Sequence, residues 1–167
     1  MLFFFCSFFI GIAFGQQGVD PTAHSAFSQA SIAFEDKRYE EAIEEFKKAI
    51  EISPQFLQAR ISLGYAYIAN EQNEKAEEQF IEAVKIDSKI HQPLYELALM
   101  AAIKDSFALS ISYLTEAINR KNDEPKYYYQ RGIQHYKIEN YEEAVADFTK
   151  TLSLDSKLVD AYHDRGS

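Results

Sequence analysis

The run Tyr39-Glu40-Glu41-Ala42-Ile43-Glu44-Glu45-Phe46-Lys47-Lys48-Ala49-Ile50 decides the fold. Its apolar side chains stand at Tyr39, Ala42, Ile43, Phe46, Ala49 and Ile50, three and four residues apart. That spacing puts them on one face of an α-helix. Glu40, Glu41, Glu44, Glu45, Lys47 and Lys48 occupy the other face and read as a solvated surface.

The same pattern returns every 34 residues. One column holds Ala42, Ala76, Ser110 and Ala144, and a second holds Phe46, Phe80, Leu114 and Phe148. Ala49, Ala83, Ala117 and Thr151 form a third, and Tyr39, Asn73, Phe107 and Tyr141 a fourth. Pro54, Ser88, Asn122 and Ser156 form a fifth; Gly64, Ala98 and Gly132 a sixth, which Gly166 continues. Small residues let two helix axes approach, and the large columns fill the space beside them. Polar breaks at Asp36-Lys37-Arg38, Asn70-Glu71-Gln72, Asp105-Ser106 and Glu139-Asn140 divide each row into two helices. Pro54 ends a helix, since it lacks an amide hydrogen. Pro93 and Pro125 fall at row starts, where a first helical turn tolerates proline. One hairpin cannot bury its own stripe, so the rows must stack into a continuous core. The expected class is all-α.

The row Tyr128-Tyr129-Gln130-Arg131-Gly132, continued by Tyr141-Glu142-Glu143-Ala144-Val145-Ala146-Asp147-Phe148, resembles a tetratricopeptide repeat, as does Leu63-Gly64-Tyr65-Ala66-Tyr67 with Ala76, Phe80 and Ala83. The resemblance implies a right-handed superhelical solenoid of helix-turn-helix units. It assigns repeats to residues 23–56, 57–90, 91–124 and 125–158, with a partial fifth at 159–167. The first row departs from the pattern at Gln29-Ala30, and the third at Ser110.

The resemblance also implies that the first helix of each unit lines a concave groove which binds a protein or peptide. Carried over by position, the groove residues are Phe27, Ile61, Tyr65, Tyr95, Leu99, Tyr129, Ile133 and Tyr136. The family's known clamp for a terminal carboxylate needs Lys, Asn and Arg at positions held here by Phe27, Ser31, Ser62, Gln92 and Glu96, so that clamp is not expected. The groove is expected to be aromatic and aliphatic instead, with tyrosines that offer area and a hydroxyl together. Arg131 stands where Leu63 and Leu97 stand in their rows, and Asp147 lies on the paired helix, which predicts a structural Arg131–Asp147 pair.

Ahead of the array, Met1–Phe14 is an apolar run without a charged side chain. It is shorter than the ~20 residues that a membrane-spanning helix needs. Ala13-Phe14-Gly15 supplies small residues for peptidase cleavage before Gln16, so residues 1–15 read as a signal peptide, 16–22 as a polar linker, and the protein as exported, periplasmic or extracellular. Retention of the leader would leave the chain membrane-associated. No Lys or Arg precedes the run, which departs from the usual signal.

The chain has 167 residues and a net charge of -9, and its first charged residue is Asp20. An acidic surface argues against nucleic acid, which needs a basic face. Cys6 lies in the leader, and His24, His91, His135 and His163 are far apart, so neither a disulfide nor a metal site is expected, nor any other cofactor. No glycine-rich phosphate loop, serine elbow or paired metal-ligand helix is present, so no enzyme is expected. The expected function is a protein-interaction scaffold. The alternative is the N-terminal sensor or docking region of a larger signalling or envelope protein. The fifth row is unfinished at Gly166, and an open end is expected to favour self-association.

Overall fold

A computed structural model describes residues 19–157 and 164–165; the leader and its cleavage site, and most of the partial fifth row, lie outside the described residues. Among the described residues there are eight helices: α1 (Pro21–Glu35), α2 (Tyr39–Ile52), α3 (Leu57–Ala69), α4 (Asn73–Ile86), α5 (Gln92–Ile103), α6 (Phe107–Arg120), α7 (Pro125–Lys137) and α8 (Tyr141–Leu154). Each packs chiefly on the helices before and after it in the chain, which is the contact pattern of a solenoid.

The chain enters α1 through Asp20, whose carboxylate accepts from the Thr22 amide at 2.7 Å, with Pro21 in the first turn. The second helices begin differently. Their N-cap residues make no side-chain capping bond, but α2, α4 and α8 carry Glu40 and Glu41, Glu74, and Glu142 and Glu143 in their first turns. Those carboxylates face the positive end of the helix dipole. The glutamate pairs therefore do more than solvate a face.

The turn inside each hairpin carries the period most sharply. Lys37, Glu71, Asp105 and Glu139 all have positive φ (61°, 58°, 54° and 62°) and stand 34 residues apart. The amide three residues past each first helix reaches back to close the turn: Arg38 N–H to Ala33 O at 2.8 Å, Gln72 to Tyr67 at 2.8 Å, Ser106 to Ala101 at 2.9 Å and Asn140 to His135 at 2.9 Å. These are helix C-terminal turns that usually hold glycine in the left-handed position. Here a charged residue occupies it each time.

The repeat columns fill the core. Ala42, Ala49, Ala76, Ala83, Ala117 and Ala144 are at most 2% exposed, and so are Phe46, Phe80, Leu114 and Phe148. Leu63 is buried as well, whereas Pro54 stays exposed at the hairpin junction. A Cβ on Gly64 would lie 2.6 Å from Phe80 Cε1, and one on Gly132 2.7 Å from Phe148 Cε1. Where the column holds Ala98, the facing residue is the smaller Leu114. Close approach and ring size are thus matched row by row.

Both departures from the alanine columns are satisfied. Ser110, 1% exposed, donates its hydroxyl to Ala98 O at 2.8 Å across the hairpin. Thr151 donates to Asp147 O at 2.9 Å. The expected Arg131–Asp147 pair forms as a two-pronged contact, Nε to Oδ2 and Nη2 to Oδ1, both 2.8 Å, with Thr115 Oγ1 accepting from Nη1 at 3.1 Å.

Candidate functional site

The first helices of successive hairpins meet along one face. Contacts from α1 to the start of α3, from α3 to α5 and from α5 to α7 define it. At the N-terminal end Phe27 is half-buried and tilts against Phe46 (ring centroids 5.6 Å apart) and Phe56 (5.1 Å). Phe56, 2% exposed, also receives the edge of His24 at 4.9 Å. Ser31 turns its hydroxyl onto Phe27 O at 2.9 Å, so it satisfies its own helix.

The middle of the face is a polar and aromatic cluster. Tyr65 of α3 packs on Phe80 with ring centroids 5.4 Å apart and donates its hydroxyl to Glu96 Oε1 of α5 at 2.9 Å. Tyr95 leans on Tyr127 of α7 at 5.2 Å. Lys126 Nζ lies 4.8 Å from the Tyr95 ring centre and 5.5 Å from that of Tyr127, within cation–π range. Tyr127 is fully buried, and its hydroxyl lies 2.6 Å from His91 Nδ1.

The electrostatics follow from burial. Desolvation raises the Glu96 carboxyl above its ordinary value, against the lowering effects of the Tyr65 hydrogen bond and Lys126. Burial, then the charge of Glu96, holds the Tyr65 phenol well above its usual range. The Tyr95 hydroxyl is pushed up to about 12, again mainly by burial. Burial and the nearby Lys121 lower the His91 imidazole.

The C-terminal part of the face is more open. Tyr129 packs on Phe148 at 5.8 Å and donates to Asp164 Oδ2 at 3.0 Å. Leu99 and Ile133 are half-buried, and Tyr136, 47% exposed, meets Tyr141 edge-on at 5.5 Å.

Seven of the eight expected groove residues thus keep some exposure. Ile61 does not: it is 5% exposed and belongs to the core with Ala30, Phe46 and Leu63. Its helix α3 has neighbours on both sides, and a branched aliphatic chain is shorter than the Phe27 and Tyr65 rings packed on that core. Ile61 is a core residue, not a groove wall. Glu96, Tyr127 and His91 complete the cluster without a signal in the sequence, because their partners come from neighbouring rows. Glu96 also places a carboxylate where the family's clamp carries a cation.

A family model for tetratricopeptide repeats matches residues 125–158. Another, for the N-terminal repeats of the surface lipoprotein assembly modifier, matches residues 16–80. The fold is a tetratricopeptide-repeat solenoid. A crystal structure of MamA superposes with a TM-score of 0.81 at 21% identity, covering 87% of this chain and 79% of that one. YrrB, described as a tetratricopeptide-repeat protein with an unusual peptide-binding site, superposes with a TM-score of 0.75 at 20% identity, covering 86% and 74%. At these identities the likeness is one of fold. Among curated proteins, anaphase-promoting complex subunit 6 of Arabidopsis thaliana is 28% identical over 127 residues, 75% of this chain and 23% of that protein. The chain spans about a quarter or less of the length of the curated relatives it matches.

Tetratricopeptide repeats generally mediate protein–protein interaction. Among the described residues no group of three His, Cys, Asp or Glu side chains could hold a metal ion. Among them, too, no helix is long and apolar enough to cross a membrane.

Proposed function

We propose that this chain is an interaction scaffold whose first-helix face, from Phe27 to Tyr136, holds an extended or helical segment of a partner protein. The observation that supports the reading is that Tyr65, Tyr95, Tyr129 and Tyr136, one or two on each of the first helices α3, α5 and α7, all keep exposure, three of them half-buried rather than sealed into the core. Rings of this kind give large contact area at small entropic cost and keep a hydroxyl for orientation. The peptide-binding site for which YrrB is described supports the reading by analogy.

The test is selection of a random dodecapeptide display library on the full chain and on Tyr95→Ala/Tyr129→Ala. The wild type is expected to enrich a consensus. The double variant, with its helical circular dichroism retained, is expected to lose it. A variant that melts assigns both tyrosines to the core and defeats the reading.

A second reading, in which the same face is the docking region of a longer protein, gains support from the small share of each relative that the chain spans. The reading frame beyond Ser167 separates the two. Export by the apolar leader is part of the proposal, and the intact mass of the secreted protein tests it; an uncleaved Met1 overturns cleavage.

A further inference from the structure

The centre of the face holds a carboxylate that the fold leaves under-used. Glu96 sits on α5 next to Tyr95 in the chain and beneath the Tyr65 hydroxyl, and burial opposes its ionisation. A carboxylate offers about four acceptor positions. Among the described residues Glu96 receives one hydrogen bond, from Tyr65 at 2.9 Å, and forms no salt bridge. The nearby cation, Lys126, spends itself over the Tyr95 and Tyr127 rings. A desolvated carboxylate in this state is unfavourable until a cation meets it.

Resting on the scaffold reading above, we propose that the partner segment carries an arginine or lysine whose cationic head inserts beside the Glu96 carboxylate, next to the Tyr65 hydroxyl. Three features fit one occupant. The free acceptor positions of Glu96 match the N–H donors of a guanidinium, which can take both oxygens at once. The Tyr95 ring already draws Lys126 to within 4.8 Å of its centre, so the aromatic surroundings of Glu96 favour a cation. The chain's net charge of -9 steers a basic segment toward the protein and repels an acidic one. Arginine is the better match, since its planar head both stacks on a ring and forks onto a carboxylate.

A random dodecapeptide display library is selected on the full chain, and the enriched peptide is synthesised with a fluorophore. The expected consensus contains a basic residue at one fixed position. Replacing that residue by citrulline (or, for a lysine, by acetyl-lysine), which removes the charge, is expected to weaken binding by about tenfold or more in fluorescence anisotropy. Glu96→Gln is expected to bring the same loss, with no further loss when both changes are combined, because each removes the same contact. Glu78→Gln, an exposed site on α4, is expected to leave affinity unchanged.

A consensus without a basic residue overturns the inference while leaving the scaffold reading intact. So does an equal loss in Glu78→Gln and Glu96→Gln, which would assign the effect to bulk charge. A citrulline peptide that binds wild type as well as its parent reduces Glu96 and Tyr65 to a staple between repeats. The absence of any consensus defeats the scaffold reading, and this inference with it. The citrulline arm uses wild-type protein, so it does not depend on how any variant folds.

Discussion

Removal of Asp147 is the sharpest test of how the last complete hairpin is held. Arg131 reaches it through two bonds of 2.8 Å, with the Arg131 side chain 20% exposed and the Asp147 side chain 7%. The pair holds the guanidinium above its ordinary value, chiefly through the hydrogen bonds to Asp147. Asp147→Ala strands a cation at the α7–α8 interface with Thr115 as its remaining acceptor. Breaking a fully buried pair costs roughly 3–5 kcal/mol. Arg131 reaches water in part, so the expected cost is about 2–3 kcal/mol. For an array of this size that lowers Tm by about 5–10 °C. Removing the second charge as well should repair most of it. The second hairpin already shows a workable alternative, since Leu63 and Gln79 hold the equivalent positions. Arg131→Leu/Asp147→Gln copies that pair and is expected to lie within about 1 kcal/mol of wild type. Urea unfolding followed by circular dichroism measures all three, at 50 mM and 500 mM NaCl, since a sheltered pair is poorly screened. A cost for Asp147→Ala below about 0.5 kcal/mol, or a double variant no better than the single one, refutes the reasoning.

Glu96→Gln is expected to raise Tm near pH 7 and to lose that advantage near pH 4. Burial raises the folded-state value, so the protonated form supplies stability that is complete below the unfolded value of 4.5 and is lost as pH rises through the raised one. A thermal series from pH 4 to 8 checks it, and a constant gap overturns it. Gly132→Ala is expected to cost about 1–2 kcal/mol, since the added Cβ meets the Phe148 ring at 2.7 Å and overpacking outweighs the helical preference of alanine. Adding Phe148→Leu, which copies Ala98 and Leu114, should recover part of the loss in chemical denaturation. Glu71→Gly is expected to stabilise by about 0.5–1 kcal/mol, because its φ of 58° strains any residue with a Cβ. A loss of stability there would show that the glutamate makes a compensating contact.

Much of the architecture is legible in the sequence. The 34-residue columns named the buried alanines and rings, and the polar breaks located the hairpin turns. Arg131 and Asp147 could be paired because both lie within one hairpin, 16 residues apart. The face was only half legible. Ile61 reads as a groove residue by position, yet two neighbouring helices bury it. Glu96 reads as a bare mismatch, yet Tyr65, 31 residues away, makes it the centre of the face.

Periodicity is a property of one helix and its own hairpin, so the sequence by itself determined the helices, their turns and the stripe that each must bury. Which side chains share the first-helix face depends on how one hairpin is rotated and set against the next. The small residues permit that packing, but the sum of many side-chain contacts sets its angle, and no single column encodes it. Tertiary structure alone therefore decided that Glu96, Tyr65, Tyr95 and Lys126 meet, and that Ile61 stays inside.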